Sequence, residues 1–315
     1  MRLLGAVLAA AVLVAGGCSG PARAGAWHAA GSPAASAWPA ASRPVGSTAP
    51  SGRAAPTTTL AVGVRQLALA RGADRPLPTT VWYPAAGRAG GAPKPGAAPA
   101  PGRFPLVLFS HGLGGAPADY APALVRWAAA GFVVAAPAYP HTVRGSSGLD
   151  VLDIGNQPTD ASYVITQVLS QLAAQVDPAH AGAAGHSAGG FTTVGLFTAK
   201  RDPRLRAGIV IAGGPLGGAY LGPAAPLLFV HGDQDSTVSY ATGRSAYDKV
   251  PWPKAFLTLV GQGHTTYLTP GAAFTAALDT STDFLRWALY GDAAARARLS
   301  ADGTRAGVCR LEGNP

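Results

Sequence analysis

Residues 185–189 read Gly-His-Ser-Ala-Gly and lie between a run of small and apolar residues at 181–184 and a helix-compatible run at 191–199. A strand, a G-x-S-x-G pentapeptide and a helix in this order are typical of a nucleophile elbow, a sharp turn that exposes a serine at a sheet edge. The positions beside that serine must be almost without side chains, and the two glycines of the pentapeptide together with Gly190 meet this demand. We therefore predict that Ser187 is a nucleophile, against the alternative of a chance match in a chain with 42 glycines.

Strand and helix patterns alternate along the chain on both sides of this elbow. Apolar runs typical of buried strands lie at 60–70, 79–83, 104–109, 132–136, 205–212, 226–230 and 255–260, and helix-compatible runs lie at 118–130, 159–175, 240–249 and 281–290. Such alternation predicts an α/β fold with a mostly parallel central sheet flanked by helices. The connection between the strands that end near 212 and begin near 226 is too short for a large lid domain, so we expect an open site.

Composition divides the rest of the chain. Residues 1–17 have a positively charged start and an apolar stretch too short to span a bilayer, which predicts a lipoprotein-like signal peptide. Residues 18–56 are rich in Ala, Pro and Ser without periodicity and predict a disordered linker. We assign residues 57–291 to one catalytic domain, with a long surface loop at 84–103, and residues 292–315 to a C-terminal tail.

The two cysteines, Cys18 and Cys309, bear on where the protein resides. Small residues immediately before Cys18 resemble the lipobox of bacterial lipoproteins, and a lipid on this cysteine would anchor the protein to a membrane. The usual leucine of that motif is replaced by Ala15, so cleavage that gives a secreted protein is the alternative; either route predicts export. We expect neither a Cys18–Cys309 disulfide, which would tie a disordered linker to the C-terminus, nor a catalytic Cys309, which has no histidine nearby in sequence.

The charge of the chain indicates no nucleic-acid partner. The formal net charge is +9, but no basic run is interleaved with aromatic residues. Three arginines and no acidic residue lie at 19–58, so part of the excess belongs to the linker rather than to a binding face. Apolar residues make up 48 % of the chain, which is ample for a buried core.

A serine hydroxyl needs a base to accept its proton, and the base needs a carboxylate to orient it. On this type of scaffold the three groups follow one another as Ser, Asp or Glu, and His, each in a loop after a strand. Of the seven histidines, only His264 follows both the serine and the acids of the 231–235 loop and lies just beyond a strand. We predict that His264 is the base, and that His111, His186 and His231, which adjoin glycine-rich turns, orient loops instead.

Two carboxylates compete for the third position. Asp235 lies further into its loop, where its side chain can turn towards His264, whereas Asp233 is close to the strand end and suits a role in bracing the turn. We therefore predict Asp235 as the acid.

The tetrahedral intermediate that forms when such a serine attacks a carbonyl also needs amide donors for its oxyanion. The N–H of Ala188, which follows the nucleophile, is the first candidate. The second is the N–H of Leu113, in the loop Ser-His-Gly-Leu-Gly-Gly at 110–115, whose glycines allow close approach to a substrate. This chemistry needs neither a metal nor an organic cofactor, and we expect none.

Taken together, these stretches resemble the α/β-hydrolase superfamily over residues 57–291. The resemblance rests on the motifs at 81–84 (Val-Trp-Tyr-Pro), 110–115, 176–178 (Val-Asp-Pro), 185–190 and 231–235 (His-Gly-Asp-Gln-Asp). They are similar to a bacterial group that spans dienelactone-hydrolase-like, platelet-activating-factor-acetylhydrolase-like, chlorophyllase-like and cutinase-type polyester hydrolase esterases. The likeness implies carboxylic-ester hydrolysis, with Ser187, Asp235 and His264 at the triad positions and Leu113 and Ala188 at the oxyanion positions.

Some residues depart from these relatives. Dienelactone hydrolases carry a cysteine nucleophile, and cutinase-type enzymes carry an aromatic residue and a methionine where this chain has Leu113 and Ala188, which argues against polyester activity. We expect a monomeric, exported esterase whose open site, shaped by residues 137–158 and 215–225, accepts small esters or the exposed end of a polymer. The alternatives are another acyl-transfer hydrolase, namely a polyester hydrolase, lipase, peptidase or thioesterase, and a catalytically silent binding protein of the cell envelope.

Overall fold

A computed structural model describes residues 54–313 and residue 315. The predicted signal peptide, Cys18 and most of the predicted linker lie outside the described residues. The folded domain begins slightly before residue 57, because the carbonyl of Pro56 accepts a hydrogen bond from Arg286 Nη1 at 2.9 Å. Within this part of the chain, no helix is both long and apolar enough to cross a membrane.

One mixed sheet of ten strands forms the centre of the described domain. The strands are β1 (Ala61–Ala70), β2 (Pro76–Ala85), β3 (Lys94–Pro95), β4 (Phe104–Ser110), β5 (Val133–Pro137), β6 (Val176–His186), β7 (Leu205–Ile211), β8 (Leu227–Gly232), β9 (Lys254–Leu259) and β10 (Cys309–Gly313). Their order across the sheet is β10-β9-β8-β7-β6-β4-β5-β2-β1-β3. Strands β4 to β9 pair in parallel, and β2 and β10 each run antiparallel to their neighbours.

Helices cover both faces of this sheet. They are α1 (Ala121–Ala129), α2 (Gln157–Gln171), α3 (Ala188–Gly195), α4 (Tyr240–Asp248), α5 (Ala272–Tyr290) and α6 (Ala293–Gly303), with short 3₁₀ turns at Pro117–Tyr120, Val151–Gly155 and Thr266–Leu268. Side chains of α1, α5 and α6 pack into one apolar core, and those of α2 and α4 pack into another on the opposite face. Strands β4, β5 and β8 are buried along their whole length, since a parallel sheet with both faces covered has no solvated side. The predicted α/β fold is confirmed.

The connectivity creates a crevice at one place along the sheet. From β4 the chain runs to β5 on one side, and it then crosses to β6 on the other side of β4. Ligand sites of open α/β sheets lie at such reversals, beyond the carboxyl ends of the strands. The loop after β4 and the turn after β6 meet there. No helix or strand lies between β7 and β8, in agreement with the expected absence of a lid.

The prediction of a C-terminal tail at 292–315 is wrong. Helix α6 packs against α5, and β10 pairs with β9 in the register Cys309↔Leu259. Leu299 and Cys309 are each only 4 % exposed, and burial raises the pKa of the Cys309 thiol. The segment looked like a tail because α6 and the edge strand β10 each bury only a narrow apolar stripe among charged residues.

Smaller differences concern element ends. Helix α5 begins at Ala272, nine positions before the predicted start at 281. The predicted loop at 84–103 contains β3, which pairs with β1 over two residues. Small residues dominate both segments, with many alanines at 272–280 and many Ala, Pro and Gly residues at 84–103, so periodicity is weak there.

Candidate active site

Ser187 lies at a strained turn between β6 and α3. Its backbone has φ 56° and ψ −119°, and Ala212 is the only other non-glycine residue with positive φ in the described part of the chain. A Cβ atom on Gly189 would lie 1.9 Å from the Ser110 carbonyl oxygen, and one on Gly185 would lie 2.1 Å from the Gly189 carbonyl oxygen. The glycines are thus required by close backbone contact, and the turn has the geometry of a nucleophile elbow.

Asp235 and His264 form a hydrogen-bonded pair near this turn. His264 Nδ1 donates to Asp235 Oδ2 at 2.7 Å, and His231 Nε2 lies 3.3 Å from the same oxygen. The other carboxylate oxygen accepts from the N–H groups of Thr237 (2.8 Å) and Val238 (2.9 Å), which fixes the carboxylate plane. Burial alone would raise the pKa of Asp235, but hydrogen bonds from His231 and His264 outweigh it and hold that pKa well below its usual range. Asp235 is therefore an anion that keeps the Nδ1 proton on His264.

Asp233 has a different task. Its Oδ1 accepts a hydrogen bond from the Gly261 N–H at 2.7 Å, which ties the end of β8 to the end of β9. Among the described residues, no hydrogen bond or ion pair joins Asp233 to His264. Asp235 is thus the carboxylate that is hydrogen-bonded to His264, and Asp233 braces the turn.

Ser187 and His264 lie at the same edge of the sheet. The ring of His186, the residue before the serine, is 4.8 Å from the His264 ring, centroid to centroid. Ser187 is 6 % exposed and the His264 side chain 13 % exposed, so a small molecule can reach both. Within residues 54–313 the structure contains no hydrogen bond between Ser187 Oγ and His264. Such bonds are often long before substrate binds.

Two unpaired amides point to an anion site beside Ser187. In the loop at 110–115, the N–H groups of Gly112, Gly114 and Gly115 all have acceptors. The Leu113 N–H between them has none among the described residues, and neither has the Ala188 N–H, which lies in the first turn of α3. A Cβ on Gly112 would lie 3.2 Å from Ser187 Cβ, so this loop, hereafter the oxyanion loop, contacts the elbow directly.

The three histidines predicted to orient loops do so. His111 accepts a hydrogen bond from the Tyr139 N–H at 3.1 Å, and burial lowers its pKa. His231 donates to the Val238 carbonyl at 2.9 Å. His186 bonds to the backbone of His264. All three rings are buried and engaged, so the imidazole of His264 is the most accessible of these four.

Apolar side chains line the region around the elbow. One small cluster packs around Ala188 and contains Leu113, Val151, Ile154, Phe191, Leu216 and Val238. The exposed side chains of Leu149 (52 %) and Leu152 (71 %) lie in the adjoining loop, and a Cβ on Gly114 would be 3.4 Å from Leu149. Apolar side chains thus form part of the surface beside the elbow.

One polar side chain at this site was not predicted from the sequence. The Tyr120 hydroxyl bonds to both the Gly112 N–H and His186, in the middle of the site. Its position in the sequence, at the start of a helix, carries no signal that distinguishes it from a core tyrosine. As to metals, no group of three or more His, Cys, Asp or Glu residues in the described part of the chain is arranged to hold an ion.

Comparison with a family model gives a partial match. Residues 92–147 match the family described as platelet-activating factor acetylhydrolase, isoform II. This segment includes β3, β4, the oxyanion loop, α1 and β5, but none of Ser187, Asp235 and His264. No curated protein sequence matches the chain at a significant level.

Comparison with solved structures bears on the fold. The chain is similar to a ferulic acid esterase from Streptomyces cinnamoneus, with 21 % sequence identity and a TM-score of 0.56, over 69 % of this chain and 78 % of that one. As many as 928 solved chains match, so the fold is widespread and does not by itself specify a substrate.

Proposed function

We propose that the chain is an α/β-hydrolase and that it acts as a serine-dependent carboxylic-ester hydrolase. One observation carries the proposal: the Asp235–His264 pair lies beside a serine held in the strained conformation of a nucleophile elbow. The unpaired amides of Leu113 and Ala188, next to that serine, support it.

The reaction would proceed through an acyl-enzyme. His264 Nε2, left without a proton because Nδ1–H is held by Asp235, accepts the proton of Ser187 as Oγ attacks the ester carbonyl. The tetrahedral intermediate collapses when His264 gives this proton to the leaving alkoxide, and the C–O bond of the ester breaks. A water molecule, deprotonated by the same imidazole, then attacks the acyl carbon. The bond between this carbon and Ser187 Oγ breaks, His264 returns the proton to Oγ, and the acid is released.

The oxyanion would be stabilised by the N–H groups of Leu113 and Ala188. Both belong to rigid backbone, because Leu113 lies between hydrogen-bonded glycines and Ala188 begins α3. Donors that are already aimed need no reorganisation during the reaction, and loss of one such donor typically costs about 2.7–4 kcal/mol of transition-state stabilisation.

As substrates we propose uncharged esters with an apolar acyl group, or the accessible end of a polymer chain. The cluster around Ala188 offers apolar side chains to the acyl group. In the described connection between β7 and β8, no helix or strand is inserted that could form a lid over the site.

The test is turnover of p-nitrophenyl butyrate by the wild-type protein and by Ser187→Ala. We expect kcat to fall by about a millionfold in the variant. Ser300→Ala, an exposed serine on α6, serves as the control and should leave kcat unchanged. No turnover by the folded wild-type protein, together with no labelling by a fluorophosphonate probe, would instead favour the silent binding protein.

Substrate class is tested with a panel. We expect short and medium p-nitrophenyl esters and a feruloyl ester to be hydrolysed faster than an aminoacyl amide, which separates an esterase from a peptidase. A strong preference for long acyl chains with activation at a lipid interface would contradict the open, lidless site. A polyester film and an acyl thioester complete the panel.

We also propose that the protein is exported and anchored through a lipid on Cys18. The support is the sequence of residues 1–18, which lie outside the described structure. Cys18→Ser should move the protein from the membrane fraction to the soluble fraction without changing its kcat.

A further inference from the structure

We propose that Tyr120 and His186 are positioning residues that join the oxyanion loop to the loop of the catalytic base through one continuous hydrogen-bond chain. The chain runs from the Gly112 N–H to the Tyr120 hydroxyl (3.0 Å), from that hydroxyl to His186 Nδ1 (2.9 Å), and from His186 Nε2 to the His264 carbonyl (2.9 Å). Its consequence for catalysis rests on the proposed function.

The direction of every hydrogen in this chain is fixed by its ends. The His264 carbonyl can only accept, so His186 Nε2 carries a proton. The Gly112 N–H can only donate, so the Tyr120 oxygen accepts from it and its own proton is free for His186 Nδ1. All three bonds therefore point the same way, and hydrogen bonds aligned in this manner polarise one another and strengthen.

Burial keeps both side chains in the protonation states that the chain needs. Burial, together with the neighbouring His264, lowers the pKa of His186 to about 3, so the ring is neutral at neutral pH. Burial also raises the pKa of Tyr120 to about 12, so its hydroxyl remains a donor. At neutral pH His186 thus holds one tautomer, with its proton on Nε2.

The chain holds two functional groups through their own backbone. Gly112 precedes Leu113, the proposed oxyanion donor, and is itself in contact with the elbow. At the other end, the bonded carbonyl belongs to His264, the proposed base. Loss of the Tyr120 hydroxyl would leave the Gly112 N–H buried without an acceptor and would release His186 to its other tautomer, which cannot donate to His264.

Tyr120→Phe is a clean test because packing of the ring is retained. The Tyr120 ring lies 4.7 Å from that of Phe109 and 5.6 Å from that of His186, and phenylalanine preserves both contacts. Tyr83→Phe is the matched control: Tyr83 is also buried, and its hydroxyl donates to the Ala97 carbonyl at 2.7 Å, between β2 and the β3 segment, away from the site.

We expect Tyr120→Phe to lower kcat for p-nitrophenyl butyrate about 10- to 100-fold, with KM within about twofold, because small displacements of catalytic groups cost rate rather than binding. The rate of labelling by a fluorophosphonate should fall by the same factor, and Tyr83→Phe should behave as wild type. In His186→Gln the side-chain amide replaces Nε2 as donor to His264, so this variant should retain more activity than His186→Ala. The double variant Tyr120→Phe/His186→Ala should lower kcat by less than the product of the two single-variant factors, since both substitutions break the same hydrogen-bond chain.

The ¹⁵N spectrum of the histidine side chains separates failure of this inference from failure of the proposed function. We expect His186 to show the Nε2–H tautomer in the wild type and a changed tautomer balance in Tyr120→Phe. An unchanged spectrum with wild-type kcat in Tyr120→Phe would overturn the chain while leaving the esterase intact. A wild-type protein without turnover or labelling would overturn the proposed function, and the spectrum would still decide whether the chain exists.

Discussion

His264 Nδ1 lies 2.7 Å from Asp235 Oδ2, although 29 positions of sequence separate the two residues. The contact exists because β8 and β9 are parallel neighbours whose carboxyl ends bring their loops together. The carboxylate is fixed from its other side by two backbone amides of its own loop. The imidazole is therefore oriented before any substrate arrives.

Asp235→Asn should lower kcat about 10⁴-fold in protein that is still folded at pH 7, because an amide in place of the carboxylate allows the wrong tautomer of His264. The matched control is Asp233→Asn, two positions away, whose side chain braces the Gly261 amide. That variant should keep kcat within about threefold and lose stability only. Equal losses of kcat in the two variants would contradict the assignment of the acid.

The same carboxylate makes a pH-dependent contribution to stability. Its pKa is held below the value of about 3.9 that an aspartate has in an unfolded chain. The contribution is therefore present above about pH 4 and is lost as the pH falls through the folded-state pKa. The difference in free energy of unfolding between wild type and Asp235→Asn, measured by urea denaturation, should shrink from pH 7 to pH 3. If this difference in free energy of unfolding grew towards low pH, the explanation would be refuted.

Gly189→Ala should destabilise the fold by about 3 kcal/mol or more, because its methyl group would lie 1.9 Å from the Ser110 carbonyl oxygen in the oxyanion loop. Gly218→Ala is the control, since a Cβ there would meet nothing within 4 Å. That change should alter the free energy of unfolding by less than about 1 kcal/mol. Urea denaturation of both variants measures the contrast, and similar stabilities would show that the elbow and the loop are not in close contact.

The C-terminal segment should behave as part of the core. Leu299→Ala is expected to cost about 2–5 kcal/mol of unfolding free energy, because this side chain on α6 is almost fully buried. Arg310→Ala, on the exposed face of β10, should cost less than about 0.5 kcal/mol. If neither substitution changed the free energy of unfolding, residues 292–315 would be a tail that does not contribute to the core.

Much of the fold was predictable because strands buried on both faces read as continuous apolar runs, as in β4 and β8. The elbow and the order of Ser187, Asp235 and His264 were predictable for a related reason: each follows such a run. Strand β10 was not, since an edge strand buries only one face and its residues alternate with charges.

Contacts between loops that are distant in sequence could not be predicted from the sequence. That the Leu113 N–H lacks an acceptor depends on which atoms its neighbours meet, among them the Thr142 carbonyl, which accepts from Gly114. The role of Tyr120 likewise depends on two loops that approach it in space. Periodicity reports burial of a side chain, and it carries no information on which hydroxyl meets which amide.

The most direct test of the account is the site at which a fluorophosphonate probe attaches, determined by mass spectrometry of peptides from the labelled protein. We predict one adduct, on Ser187, whose formation abolishes ester turnover in proportion, and no adduct in Ser187→Ala. Stoichiometric labelling of any other residue, or a Ser187→Ala variant that still turns over esters at a rate near that of wild type, would contradict it.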